Sequence, residues 1–320
     1  MIISVIIVNY FSDQMITNLT SSLKHPNLEF LIVDNSSTFL SSSTQERTRV
    51  LHPRQNLGFG KAVNFAAQQS LGEVLVLLNP DVSIELTSIL DLASLLVSDG
   101  KLGIVAPLLN EKQHRGPFLN GGYWPTLPKM LMHVSLGARY SHKYRIFRGL
   151  YGHQRLKLTE EFIELDWVSG ACLAIRRRDF EEIGGFNERW FMYCEDMELS
   201  FRIGNLGKRV GIFPQSTGQH LGGSSDGREE NLSVVNTLWL SNLVQFYKTF
   251  FSRNSSIRLF LWIQICTIGY GLRWIYSILR VPRNSNSKIR IKSESKRYFA
   301  YVRALQRCLG NEIKILLLKV

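Results

Sequence analysis

Three short runs constrain this chain most: "SVIIVNY" at 4–10, "FLIVDNSS" at 30–37 and "VLVLLNPD" at 74–81. In each, consecutive branched aliphatics give way abruptly to polar residues. Alternation of apolar and polar residues marks a strand with one wet face, whereas an unbroken apolar run of this length marks a strand covered on both. Between the runs lie helical stretches, at roughly 13–24 and through "GKAVNFAAQQS", and a further short strand, "TRVLHP". Such alternation specifies an α/β fold: a mostly parallel, Rossmann-like sheet with helices on both faces. Ligands of these sheets bind beyond the carboxyl ends of the strands. That rule singles out Asn9 and Tyr10, Asp34, and Asp81, and predicts that they converge on one crevice.

Asp81 follows Asn79-Pro80. The proline favours extended backbone at Asn79 and so helps end the strand there. The next residues, "VSIELTSILDLASLL", have helical composition. Asp81 therefore has two readings, a helix cap or a carboxylate held at the crevice. Glu195 and Asp196 in "FMYCEDMELSFR" start a helix on which Glu198 and Arg202 form an i,i+4 pair. There the helix dipole favours a carboxylate, so capping competes with general-base chemistry, for which "WFMY" supplies apolar surroundings. His220 sits in the glycine-rich "STGQHLGGSS" after an apparent strand, "RVGIFP". An isolated histidine is usually structural, but imidazole and the Asp81 carboxylate together suit Mn²⁺ or a similar cation. Gly222, Gly223 and Ser224 beside it would let backbone N–H groups approach a phosphate. Two motif readings fail. "GFGKAVNFAA" lacks the third glycine of a dinucleotide fingerprint and the Lys-Ser of a Walker loop, and "GACLA" is not a nucleophile elbow.

The net charge of +12 is uneven: residues 280–320 hold eleven Lys/Arg against two Glu, or +9, leaving +3 for the other 279 residues. A basic tail favours an anionic partner, nucleic acid or a membrane surface. Before it, residues 256–279 are apolar and aromatic, but Arg258 and Arg273 bound only 14 uncharged residues. A spanning helix needs about 20. The expectation is a helix lying in the interface of an anionic membrane, with Trp262, Trp274 and Tyr276 at headgroup level. The alternative is a core helix followed by a charged surface helix. No nucleic-acid recognition motif is visible, so that class is set aside. Residues 110–160 read as loops rich in Gly, Pro and aromatics. Four scattered cysteines and an N-terminus that reads as a first strand lead to the expectation of a cytosolic protein, and the apolar, basic C-terminal region to that of a peripheral place on the inner face of the cell membrane.

Taken in order, "SVIIVNY", "FLIVDNSS", "NLGFGKAVNFA", "VLLNPDV", "WVSGACLAIRR" and "IGGFNERWFMYCEDMELSFR" followed by a His resemble the inverting nucleotide-sugar glycosyltransferases of family 2, with the GT-A fold, and their rhamnosyltransferase-like branch. The resemblance spans about 2–225 and implies a catalytic domain over 1–225 with a helical, basic appendage over 226–320. It implies that Asn9 and Tyr10 meet the nucleobase, that Asp34 binds base or ribose, and that Asn56 of "NLGF" belongs to the donor site. Asn79 and Asp81 stand where the family has its D-x-D motif, with Asp81 binding Mg²⁺ or Mn²⁺ and a neutral Asn79 replacing the first acid. Asp196 matches the catalytic base, with Glu195 second, and His220 a contact to metal or diphosphate. The implied reaction moves L-rhamnose from dTDP-rhamnose to a lipid-linked or polysaccharide acceptor in cell-surface glycan synthesis. The alternatives are a UDP-hexose donor, or a non-catalytic nucleotide- or glycan-binding relative.

Overall fold

The computed structural model describes residues 1–37, 47–111, 120–140, 149–150, 161–221, 235–252, 255–282 and 284–317. These fall into two compact units, one of residues 1–122 and 161–221, the other of residues 123–140, 149–150 and 235–317. The packing thus groups part of the Gly/Pro-rich middle with the C-terminal helices.

In the first unit, β1 (Ile3–Asn9), α1 (Asp13–Ser22), β2 (Leu28–Asp34), β3 (Thr48–Leu51), α2 (Gly60–Ala67) and β4 (Val74–Leu78) follow the predicted alternation. Then come β5 (Val82–Ile84), α3 (Leu86–Ser98), β6 (Leu102–Glu111), and β7 (Gly121–Gly122). After the segment belonging to the other unit follow β8 (Ile163–Glu164), β9 (Trp167–Val168), β10 (Cys172–Arg176), α5 (Arg177–Glu182), α6 (Glu195–Asn205) and β11 (Arg209–His220). The main sheet runs β3-β2-β1-β4-β10-β6-β11-β5, with β8 alongside β11; β7 and β9 form a small antiparallel pair. Strands β3, β2, β1 and β4 are mutually parallel, and so are β6 and β11. Strand β10 is antiparallel to both neighbours, β4 and β6.

Both faces of the sheet are covered. Ile3, Val5 and Ile7 of β1 join one core with Ile16 and Leu19 of α1 and Ile89, Leu92 and Leu96 of α3. Ile6, Leu31, Leu75 and Leu77 are equally buried, and strand alternation turns them to the opposite face, where α2 packs on β1 and β2.

The residue after β4 does not begin a helix. Val82–Ile84 form a strand, and α3 is capped at Glu85, so Asp81 is not a helix cap. Nor does the strand "RVGIFP" stop at Pro214: β11 continues to His220 through a register shift between Phe213 and Thr217. His220 therefore ends a strand instead of lying in a glycine-rich loop. Gly222, Gly223 and Ser224 lie outside the described residues.

The second unit contains α4 (Leu127–Val134), a 3₁₀ turn (Leu136–Tyr140), α7 (Leu238–Phe250), α8 (Ser256–Leu279) and α9 (Ser285–Leu317). Among the described residues no helix is long and apolar enough to cross a membrane. Trp262 corrects one expectation: it is fully buried, its Nε1 donates to the Pro125 carbonyl at 2.7 Å, and its ring stacks on Tyr247. An indole with an internal hydrogen-bond partner belongs to the core, not to a headgroup layer.

At the amino ends of β1 and β2 the buried Glu29 accepts from the Ser4 hydroxyl at 2.5 Å and from the Leu71 amide, and pairs with Arg49 at 3.0 Å. Burial alone would raise its carboxyl, but these contacts outweigh burial and hold it below the ordinary 4.5. Glu29→Ala leaves Ser4 and Leu71 without an acceptor and should cost about 2 to 3 kcal/mol, read as a lower denaturant midpoint at unchanged slope. Because the folded carboxyl titrates low, the stabilisation is complete above pH ~4.5 and is lost as pH falls through the folded value.

Candidate active site

The carboxyl ends of β2 and β1 lie side by side, with Asn9 in register with Asp34. The Asn9 amide is fully buried and donates to Asp34 Oδ1 at 3.0 Å and Asp13 Oδ1 at 2.8 Å, while its oxygen accepts from the Ser12 amide. Its side chain is thus committed to bracing Asp34. Asp34 also accepts from the Ser36 amide and hydroxyl, and its Oδ2 lies 3.6 Å from His52 Nδ1. His52, exposed at the end of β3, was not signalled by any sequence pattern. Tyr10 is part-exposed at the strand end, edge-on to Phe11.

The "NLGF" turn is built from its own asparagine: Asn56 Oδ1 accepts from the Gly58 amide. Asn35 ties this turn to β2, donating to the Gly58 carbonyl and accepting from the Leu57 amide. Gly58 has φ +74°, and a Cβ there would lie 2.2 Å from the Phe191 carbonyl. Only glycine permits both that backbone and that approach. The Phe59 amide then donates to the same Phe191 carbonyl, fixing the start of the loop that leads to Glu195.

Asn79-Pro80-Asp81-Val82 is a β-turn closed by the Val82 amide on the Asn79 carbonyl at 3.1 Å, with proline at the position where its fixed φ is favoured. The turn sends the chain into β5, which pairs with the end of β11 and sets Val82 opposite His220. Asp81 is consequently buried with its Oδ2 3.3 Å from His220 Nε2. Its other oxygen, Oδ1, is buried with no hydrogen-bond partner. A buried carboxylate oxygen left unpaired is costly and calls for an explanation.

The residues fit a divalent cation. The unpaired oxygen and the imidazole are hard and borderline ligands of the kind Mn²⁺ accepts. His220 Nε2 lies 3.3 Å from Asp81 Oδ2, so the imidazole sits beside the carboxylate whose other oxygen is unpaired. No group of three or more His, Cys, Asp or Glu is clustered for a metal among the described residues, so any remaining ligands would come from water and a bound phosphate.

Helix α6 begins after two left-handed residues, Tyr193 and Cys194. No side chain caps it. Of the "WFMY" residues only Trp190 is buried; Phe191 and Tyr193 are exposed. Glu195 is buried, and its Oε2 has no partner. Burial, then the charge of Asp196, push its carboxyl up to about 8. Burial raises Asp196 as well, but two backbone amides favour its ionised form: Gly170 donates to Oδ2 at 3.2 Å and Met197 to Oδ1 at 2.8 Å. Of the two, Glu195 is therefore the acid that holds its proton more tightly, and the amides favour Asp196 as the one to ionise. Glu198 and Arg202 form the expected i,i+4 pair, and Arg202 donates on to the carbonyls of Ile183 and Gly185.

The turn at Gly170-Ala171 joins the two acids. The Ala171 carbonyl accepts from the Asn79 amide at 2.8 Å, and the Gly170 amide donates to Asp196. At neutral pH the folded protein keeps a proton on Glu195 that the unfolded chain has lost. This group therefore lowers stability progressively as pH rises from about 4.5 to about 8. Glu195→Gln should remove that decline, so its denaturant midpoint should gain on that of the parent across the interval and level off above it. Parallel midpoints would show that Glu195 ionises normally.

Comparison with known proteins shows the family and the fold. The chain is 30% identical over 236 residues, 68% of its length and 74% of the relative's, to an N-acetylglucosaminyl-diphospho-decaprenol L-rhamnosyltransferase of Mycobacterium tuberculosis. It is 29% identical over 206 residues, 62% of this chain and 61% of the relative, to a low-salt glycan biosynthesis hexosyltransferase of Haloferax volcanii. A mannosyltransferase of Pyrobaculum calidifontis, solved with GDP-Man and Mn²⁺, shares the fold at a TM-score of 0.54 and 12% identity, over 98% of this chain and 86% of that one. Residues 4–184, more than half of the chain, match glycosyl transferase family 2. The chain belongs to that family and is a glycosyltransferase of the GT-A fold.

Proposed function

We propose that the protein is an inverting transferase that moves L-rhamnose from dTDP-rhamnose to a lipid-linked acceptor in cell-surface glycan synthesis, working at the inner face of the membrane. The observation that carries the mechanism is two carboxylates joined through one turn: Asp81 with an unpaired oxygen beside an imidazole, and Asp196 accepting from two backbone amides. The rhamnosyl donor and lipid-borne acceptor are supported by the mycobacterial relative, whose own acceptor is named as a decaprenyl diphosphate sugar.

In this reading residues 1–225 are the catalytic domain and 226–320 the appendage. Asp34 and Tyr10 receive the nucleoside, with Asn9 and Asn56 holding the loops that shape the pocket. Asn79 offers the ribose a neutral amide. Asp81 and His220 hold a divalent cation, which when bound supplies charge neutralisation to the diphosphate. Asp196 accepts the acceptor hydroxyl's proton as that oxygen bonds to the anomeric carbon and the bond to the diphosphate breaks. Attack from the face opposite the leaving group inverts the anomeric centre. Glu195, protonated, carries no charge to compete for that proton.

Asp196→Asn should lower transfer by about 10³-fold or more while leaving donor affinity within about threefold. Loss of donor binding instead would make Asp196 a structural residue. The same assay run with a UDP-hexose decides the donor: faster release of UDP than of dTDP would overturn rhamnosyl transfer and leave the acid–base assignment standing.

A further inference from the structure

Helix α8 carries an exposed apolar line. Ile257, Leu261, Ile268, Leu272, Ile275 and Leu279 recur at intervals of 4, 7, 4, 3 and 4 residues, and all are solvent-exposed. At 100° per residue they fall within an arc of about 60°. The opposite side of the same helix buries Trp262, Cys266 and Tyr270. The line is therefore surplus to the core.

Helix α9 returns antiparallel beside α8, with Tyr301 on Tyr270 and Phe299 on Trp274. It carries its own line: Lys288, Lys292, Lys296, Arg303, Arg307 and Lys314 are exposed and fall within about 100° of arc, opposite the buried Ala304 and Leu305. Phe299 lies on this basic side, one turn from Lys296 and two from Lys292. Ile278, one turn beyond Trp274, lies on the apolar side of α8 and is 56% exposed. The Trp274–Phe299 contact thus joins the basic face of α9 to the flank of α8 between its buried side and its apolar line, with Ile278 lying between that contact and the line. The two acids of α9 do not offset the charge. Glu294 pairs with Arg280 and Arg290, and Glu312 with Lys248.

We propose that these two faces form one docking surface for an anionic lipid bilayer, with α8 lying in the plane of the interface and α9 over the headgroups. The apolar line needs a non-aqueous phase, and the basic line beside it needs negative charge at the same level. A second copy of the chain would bring like charge to like, and a nucleic acid would leave the apolar line in water. This deepens the reading of the protein as a membrane-surface enzyme and rests on it for the setting, but not on the sugar transferred.

The test is co-sedimentation of the full chain with phosphatidylcholine vesicles, with and without phosphatidylglycerol, at low and high salt. Binding should require phosphatidylglycerol and weaken with salt. Lys292→Glu combined with Lys296→Glu should weaken it by more than about tenfold, and Ile268→Asp combined with Ile275→Asp should abolish what survives at high salt. Both double variants should keep the parent's melting temperature and its stabilisation by a nucleoside diphosphate, which separates failure of this surface from failure of the catalytic reading. Equal binding to both vesicle types or to neither, a dimer that Ile268→Asp with Ile275→Asp splits, or tighter binding to duplex DNA would each overturn the proposal.

Discussion

The site depends on where β10 begins. Strand β10 runs antiparallel against β4, pairing Cys172 with Leu78, so the turn just before β10 lies at the end of β4. From that turn the Ala171 carbonyl holds the Asn79 amide and the Gly170 amide holds Asp196. Two acids more than a hundred residues apart in sequence are thereby fixed to one short piece of backbone. A Cβ at position 170 would lie 3.1 Å from the Phe59 ring, so glycine also keeps the "NLGF" turn close. Strand ends, glycine turn and helix start are one construction.

The electrostatics follow from that placement. Two neighbouring carboxyls at a helix start, one of them deeply buried, cannot both ionise cheaply. The proton is held more tightly by Glu195, whose Oε2 has no partner, than by Asp196, which accepts from the Gly170 and Met197 amides. The Cys194 thiol is pushed well up by burial and then by these same neighbours, so it stays protonated. At Asp81 the imbalance has the opposite character: an imidazole on one oxygen and nothing on the other. The local cost of that arrangement is offset by the long β-pairing that fixes β5 and β11.

Much of this was legible because β1, β2 and β4 are covered on both faces, and an unbroken apolar run is the direct signature of such a strand. The polar residues ending those runs were found by the same rule, and the Glu198–Arg202 pair by helical spacing. Strand β5 was not legible: three residues are too few to show a period, and the apolar helix after them absorbed the signal. The continuation of β11 was hidden by Pro214, which ends most strands. Here it lies where the register shifts, so no ladder N–H is missed. The direction of β10 leaves no trace in a two-sided apolar run. Trp262 and Ile268 belong to one apolar helix, and only the fold tells the buried face from the exposed one. Asn9 was placed at the nucleobase, whereas its side chain is spent on Asp34; a buried asparagine as a brace for an acid has no sequence signature.

The central claim is that Asp81, with His220, holds a divalent cation against a diphosphate without the first acid of the usual pair. The most direct measurement is the melting temperature of the protein with dTDP, with and without Mn²⁺, in the parent and in Asp81→Ala. A ligand that binds only the folded state stabilises it by about 2.7 kcal/mol at a hundred times its Kd. The account predicts that dTDP stabilises the parent far more with Mn²⁺ than without, and that Asp81→Ala removes the difference between the two while remaining folded. Equal stabilisation with and without the metal in the parent, or a metal effect that survives in Asp81→Ala, would contradict it.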